Sequence, residues 1–211
     1  EKPKTLDEQI AFRADHLGCH GNDRVSTPNL DALAASGVDF TNCHADGLPT
    51  IPMRRVFYTG NSILPEGAWR PLYPDDVTVP MILQEAGYTT GLVADTYHMF
   101  KPNLNFHQGF DSWQWIRGQE NDKWRSGPTS EIDLSRHCPD HMRSEGWDAR
   151  LMQWLLNMQD RETEEDYICA RTCTAAMEWL DDNAEQAPFM LWMGMFDPHE
   201  PWDPPPRLRE K

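Results

Sequence analysis

Positive charge is scarce in this chain. Against 34 Asp and Glu it sets only 19 Lys and Arg, a formal net charge of −15, which argues against sequence-independent binding to a nucleic-acid backbone. An acidic protein that handles anions needs a local positive site, built from a metal, an arginine or a helix N-terminus. No run of 18 apolar residues occurs, so no membrane-spanning helix is expected. The opening residues EKPKTLDEQI have no apolar h-region, so no secretory leader is read there. Cysteines number five (Cys19, Cys43, Cys138, Cys169, Cys173), an odd count with no C-x-x-C. That pattern fits a reduced, cytoplasmic protein better than a disulfide scaffold. No carboxylates fall into a recognisable metal motif; Asp75–Asp76 and Asp181–Asp182 read as solvated faces or helix ends. Internal repeats and low-complexity linkers are also missing. What is present is enough for a folded core: 211 residues, 39% hydrophobic, with 9 Trp and 8 Phe.

Periodicity gives alternating helices and strands. STPNLDALAASG reads as a helix with Thr27 as N-cap, Pro28 at the first position, Leu30, Leu33 and Ala34 on one face, and Gly37 as the stop. VDFTNCHA (38–45) reads as a strand. DVTVPMILQEAGY reads as a helix capped by Thr78, started by Pro80 and ended by Gly87, and YTTGLVADTY as the strand after it. Residues 106–148, rich in Trp, charge and Gly without a period, read as an insertion or long loop. WDARLMQWLLNMQ carries Leu151, Trp154, Leu155 and Met158 on one stripe. In EEDYICARTCTAAMEWLDDNA the stripe is Tyr167, Ala170, Cys173, Met177 and Leu180. Cys169 and Cys173, four apart there, are either half a metal site or two small core residues, the second being preferred. PFMLWMGMF (188–196) reads as a strand buried on both faces. The fold class implied is α/β, a layered sheet with helices on both faces, whose ligands gather past the strand C-termini.

Three short segments fall at such positions. In LPTIPMRRVFYTG, Thr50, Pro52 and Arg54 lie within five residues. RVFYTG could make one or two helical turns closed by Gly60; if MRRVFYTG starts a helix, its free N–H groups face Thr50 and favour an anion beside its hydroxyl, and Arg54 could grip two oxygens of a sulfate or phosphate. The same residues would also make an ordinary turn with a solvated arginine. His98, in ADTYHMF, and His199, in FDPHEP, each follow a strand. Either could donate to an anionic oxygen or protonate a leaving group, or simply be a packing or surface histidine. Thr96 and Tyr97 could add hydroxyl donors to substrate.

FRADHLGCHGNDRVSTPNLDALAASGVDFTNCHA, then PTIPMRRVFYTG, then FDPHEPWDPP, resembles the sulfatase branch of the alkaline phosphatase superfamily in order and spacing from about Phe12 to the C-terminus. The resemblance implies hydrolysis of a small sulfate or phosphate ester. It places Thr50 as a metal-bound nucleophile, with Arg54, His98 and His199 as catalytic partners. It implies a divalent cation (Ca²⁺, Mg²⁺ or Mn²⁺, with Zn²⁺ as the alternative); charge and hydropathy give no expectation of nucleic-acid or membrane partners, and the oligomeric state is not readable. The sequence departs from the family in four places. Thr50 stands where sulfatases carry the Cys or Ser that becomes formylglycine, so no formylglycine is expected. Met53 replaces the signature Ser, and Thr96 replaces a Lys. Ile10 and Ala11 stand where a metal-binding Asp is expected. The whole chain, 1–211, therefore reads as the N-terminal, incomplete part of a sulfatase-like catalytic domain. The alternative is an inactive or truncated domain that binds anions or a partner.

Overall fold

The β-branched and apolar run TTGLVA forms the central strand of a parallel sheet, β1 (Thr89–Ala94). On one side it pairs with β2 (Ser112–Trp115), on the other with β3 (Phe189–Gly194), giving the order β2-β1-β3. The computed structural model containing this sheet describes residues 13–63 and 69–209. Contacts divide them into two units, one of residues 13–45 with Pro198–Glu200, the other of Asp46–Asp197 with the chain from Pro201 onward.

In the larger unit, successive residues of β1 point to opposite faces and seed separate cores. Val93 packs with Ile116, Leu151, Trp154, Met158, Ile168, Ala175 and Ala176, the inner faces of α5 (Glu145–Asn157) and α6 (Ile168–Asn183). Leu92 and Ala94 pack with Ile51 and Tyr58 of α2 (Thr50–Thr59) and with Met99 of the short α4 (Tyr97–Phe100). Helices thus cover both faces of the sheet, as the alternation of elements predicts. Each fully buried aliphatic side chain here contributes roughly 1.5–3 kcal/mol. The expected helix after Thr78 spans Val79–Glu85 (α3).

The stripes of α5 and α6 fare differently. Leu151, Trp154 and Met158 are buried as expected, and Leu155 only partly. On α6 the period is right but the face is not: Ile168, Thr172, Ala175 and Ala176 are buried, whereas Met177 and Leu180 are 64% and 38% exposed. Small residues let this helix approach the sheet closely, and its bulky Trp179 lies over Gly91. A Cβ on Gly91 would sit 2.3 Å from the Trp179 ring, whose Nε1–H donates to Ser112 Oγ at 2.8 Å. Gly91→Ala should therefore destabilise by about 1–3 kcal/mol through overpacking. A thermal melt should show it as a Tm lower by several degrees, and an unchanged Tm would mean that Trp179 is not seated on this glycine.

Cys169 and Cys173 are not core residues, and among the described residues they belong to no metal cluster. They are half-buried and line a cavity of about 370 Å³ with Tyr167 and Met195. Burial pushes the Cys169 thiol up to about 11. The stretch 106–148 contains β2, a strand of only four residues. Asp111 at its start anchors it by accepting the Thr90 N–H and hydroxyl at 2.8 and 3.0 Å. Strand β3 is only partly buried, so β1 is the strand covered on both faces.

In the smaller unit, α1 (Pro28–Ser36) begins as expected. Thr27 Oγ1 accepts the Gly18 N–H and donates to Asp31 Oδ1, which also accepts the Cys19 N–H. The Gly18 backbone comes so close that a Cβ would lie 2.4 Å from Asp31 Oδ2. Leu30 and Leu33, read as a buried face, are exposed. Val38–Ala45 form no strand. Their β-propensity finds no partner strand among the described residues, and propensity without pairing does not hold a strand. Ile10 and Ala11 lie outside the described residues.

Candidate active site

Helix α2 starts at Thr50 itself, earlier than the sequence suggests, and ends where Gly60 turns left-handed (φ 66°) and returns its N–H to Val56 O. Its first intrahelical bond runs from Met53 N to Pro49 O at 3.2 Å. The N–H groups of Thr50 and Ile51 therefore have no partner within the helix, and Pro52 has no N–H. These two donors and the positive end of the dipole lie beside the Thr50 side chain. Ile51, Arg54 and Tyr58 recur at helical spacing, and Ile51 and Tyr58 are fully buried. A guanidinium therefore rides on the apolar stripe of α2, one turn beyond Thr50.

Burial pulls the Arg54 guanidinium below its ordinary value, against the opposing pull of Tyr58, Asp95 and Glu120. Its Nη2 donates to Thr96 Oγ1 at 3.3 Å. Among the described residues no carboxylate comes within ion-pairing distance of it. Neighbouring Arg55 is the contrast: it is held by Asp76 at 2.9 Å and by Pro71 O, so its charge is spent on structure.

Past the end of β1 the chain reads Asp95, Thr96, Tyr97, His98. Thr96 has no exposed surface and stands behind Arg54. Burial raises the Tyr97 phenol, helped by Asp122 and Glu120. His98, on α4, places Nε2 2.8 Å from Glu120 Oε1 and its ring edge-on to Trp69 at 4.9 Å. The structure thus gathers Arg54, Thr96, Tyr97 and His98 at one end of β1, in the unit that also carries Thr50. His199 belongs to the smaller unit, where its Nδ1 lies 2.8 Å from Glu200 O and 3.3 Å from Glu200 Oε2.

Two acidic residues at this end escaped the sequence reading. Asp95 is fully buried. Its Oδ1 accepts the Phe196 N–H at 2.8 Å and its Oδ2 lies 3.0 Å from Thr172 Oγ1, joining the ends of β1 and β3 to α6. An Asp closing a β-branched run, LVAD, is the signal that could have found it. Glu120 carries no comparable local signal.

Burial pushes Asp95 up to about 7, the bonds from Phe196 and Thr172 opposing it. The hydroxyl of Thr172 has one proton and two acceptors in reach, Ile168 O at 2.9 Å and Asp95 Oδ2. A proton on Oδ2 satisfies both. Because the folded value lies above the ordinary 3.8, the folded state holds the extra proton between about pH 4 and 7. The stability this contributes is complete below that window and lost as pH rises through it. Asp95→Asn, which mimics the protonated form, should be near neutral below about pH 4 and increasingly more stable than the parent as pH rises through the window, by roughly 4 kcal/mol at pH 8. Urea unfolding on both sides of the window checks it; an equal difference on both would refute the assignment.

Among the described residues no group of three or more His, Cys, Asp or Glu is placed to hold a metal ion. The donor set that the family resemblance implies is therefore not met by these residues.

Comparison with known proteins agrees with this architecture. The Sulfatase family model matches residues 11–211. The chain is 25% identical over 216 residues to an N-acetylglucosamine-6-O-sulfatase of Bacteroides thetaiotaomicron, covering 98% of this chain and 33% of that protein. It is 26% identical over 213 residues to the iduronate 2-sulfatase of Homo sapiens, covering 92% and 34%. The chain thus spans about a third of the length of these curated relatives. The crystal structure of a phosphonate monoester hydrolase of Agrobacterium radiobacter superposes with a TM-score of 0.62 at 24% identity, over 93% of this chain and 41% of that one. With a parallel sheet covered by helices on both faces, and a family match over nearly its full length, this chain belongs to the Sulfatase family.

Proposed function

We propose that the protein hydrolyses a small sulfate or phosphate ester, with Thr50 as nucleophile. The observation that carries this reading is Arg54, a half-buried, partly desolvated guanidinium without a paired carboxylate among the described residues, one helical turn from a hydroxyl at a helix N-terminus. A desolvated charge is costly without a counter-charge, and a tetrahedral anion supplies one. In the proposed reaction the Thr50 oxygen attacks the central sulfur or phosphorus in line. The bond to the leaving oxygen breaks, and the alcohol departs with a proton. Water then displaces Thr50 and restores it. Arg54 and the Thr50 and Ile51 N–H groups neutralise the equatorial oxygens. Thr96 fixes the guanidinium, Tyr97 offers a hydroxyl, and His98 orients the ester and serves the leaving oxygen; for His199 the family resemblance alone suggests a catalytic role. A divalent cation (Ca²⁺, Mg²⁺, Mn²⁺ or Zn²⁺) is the cofactor the family resemblance brings, with ligands beyond those described.

A second reading is an anion-binding domain without turnover, in keeping with the lack of a metal-ligand cluster among the described residues. Rates on 4-nitrophenyl sulfate, 4-nitrophenyl phosphate and a phenylphosphonate monoester, with Mn²⁺, Ca²⁺ or Zn²⁺ added, separate the two. Turnover with a covalent group on Thr50 detected by mass spectrometry supports the hydrolase. Vanadate binding without turnover in any metal supports the second reading, and neither binding nor turnover refutes both.

A further inference from the structure

Residues 117–122, just past β2, form a loop held from several sides. Asn157 of α5 donates to Gly118 O at 3.0 Å and to Asp122 O at 2.9 Å. Asp122 in turn accepts the Gly118 N–H at 3.0 Å and grips Arg117 through both oxygens. Gln119 Oε1 accepts from Trp154 Nε1 at 3.0 Å and from the Glu120 N–H at 3.2 Å. All this scaffolding holds Glu120 at φ 54°, a left-handed backbone that L side chains adopt only at a cost. The other described non-glycine residues with positive φ are Asn103 and Asn105, and asparagine tolerates that region. A glutamate does not go there for its own stability.

The side chain delivered by this strain is nearly buried. Oε1 lies 2.8 Å from His98 Nε2, and Oε2 is buried with no hydrogen-bond partner. Through space the carboxylate also acts on Arg54 of α2 and Tyr97 of α4. A strained backbone and an unsatisfied buried oxygen both cost stability. They are retained for a contact, and the contact is to His98.

We propose that Glu120 is the positioning residue of His98: it accepts the Nε2–H, fixes the ring plane and tautomer, and leaves Nδ1 to exchange the proton with the leaving-group oxygen. This rests on the hydrolytic reading above. A carboxylate behind a histidine holds the ring in one orientation and stabilises it while it carries the transferred proton. The effect matters most where the leaving oxygen is a poor one and needs that proton.

Glu120→Gly separates this role from a structural one, because glycine relaxes the left-handed backbone. The variant should keep or raise Tm. It should lose roughly 10- to 100-fold in kcat on a phenyl or alkyl ester, with little change on the 4-nitrophenyl ester. Glu120→Gln, which still offers an acceptor to Nε2–H, should recover most of the loss. His98→Ala should give the same leaving-group pattern, and the double variant should be no slower than His98→Ala alone. Equal losses on both esters, additive losses in the double variant, or a Tm that falls with the rate would overturn the proposal. If the parent protein turns over none of the esters, the hydrolytic reading fails by itself. NMR of the imidazole protons then decides the pairing: an exchange-protected His98 Nε2–H, lost in Glu120→Gly, supports it, and no such resonance in the parent refutes it.

Discussion

Thr50→Ala is expected to lower kcat by about 10⁴-fold or more, the scale on which loss of a covalent nucleophile acts, while the fold persists. Alanine is the best helix former, and it keeps the N–H at the first position of α2. The Thr50 side chain caps no helix end in the structure, so its removal should leave Tm within about a degree. Vanadate should still bind, since Arg54, the Thr50 and Ile51 N–H groups and the dipole of a 10-residue helix remain. Lost turnover with retained anion binding is the signature of a nucleophile as opposed to a binding group. Thr50→Ser, keeping a hydroxyl, should retain measurable turnover. An alanine variant hydrolysing ester at the parent rate would remove Thr50 from the chemistry and leave α2 as an anion-binding helix only.

How far the sequence discloses this site depends on which physical rule each residue obeys. Elements under a strong local rule are legible: the β-branched run of β1, the Pro80 start of α3 (although the Thr78 side chain makes no capping bond) and the Leu151–Trp154–Met158 stripe of α5. Start and stop rules fix α2 only at its end, through Gly60. Its beginning at Thr50 has no capping side chain to announce it. On α6 hydrophobicity selects the wrong face, because contact with the sheet is decided by size, and Thr172, Ala175 and Ala176 are small enough to approach. Strand β2 is four residues long and is anchored where Asp111, the residue before it, accepts two bonds from Thr90 of β1, a contact no local period reveals. The site splits in the same way. Thr50, Arg54 and His98 lie in short segments that a reader can pick out, and Arg54 is marked further by interrupting an apolar stripe. Asp95 and Glu120 matter only through contacts 77 and 22 residues away, with Thr172 and His98, and tertiary contacts of that range leave no local trace.

Arg54 yields the second large effect, and it couples function and stability in opposite directions. Arg54→Ala should reduce kcat/KM roughly 100- to 1,000-fold, the range for losing one preorganised oxyanion donor, and should weaken vanadate binding in parallel. Arg54→Lys should not restore the rate: an ammonium is a point donor that cannot match two oxygens of a tetrahedral anion with a planar fork, nor does it fix its orientation by a bond to a buried hydroxyl as Arg54 does to Thr96. The stability consequence runs the other way. Ile51 and Tyr58 flank Arg54 on the buried stripe of α2, and burial already disfavours its charge. Arg54→Met, apolar and similarly long, should therefore hold or raise Tm while abolishing activity, as replacing a buried charge by well-packed apolar atoms often does. It also removes a positive charge that acts on Asp95 and lowers it, so Asp95 should stay protonated to higher pH in the variant, and the pH dependence of unfolding should shift upward with it. A conserved rate in Arg54→Met, or a Tm that collapses with the rate, would mean that this guanidinium serves packing, and the case for an anionic ester bound at the start of α2 would go with it.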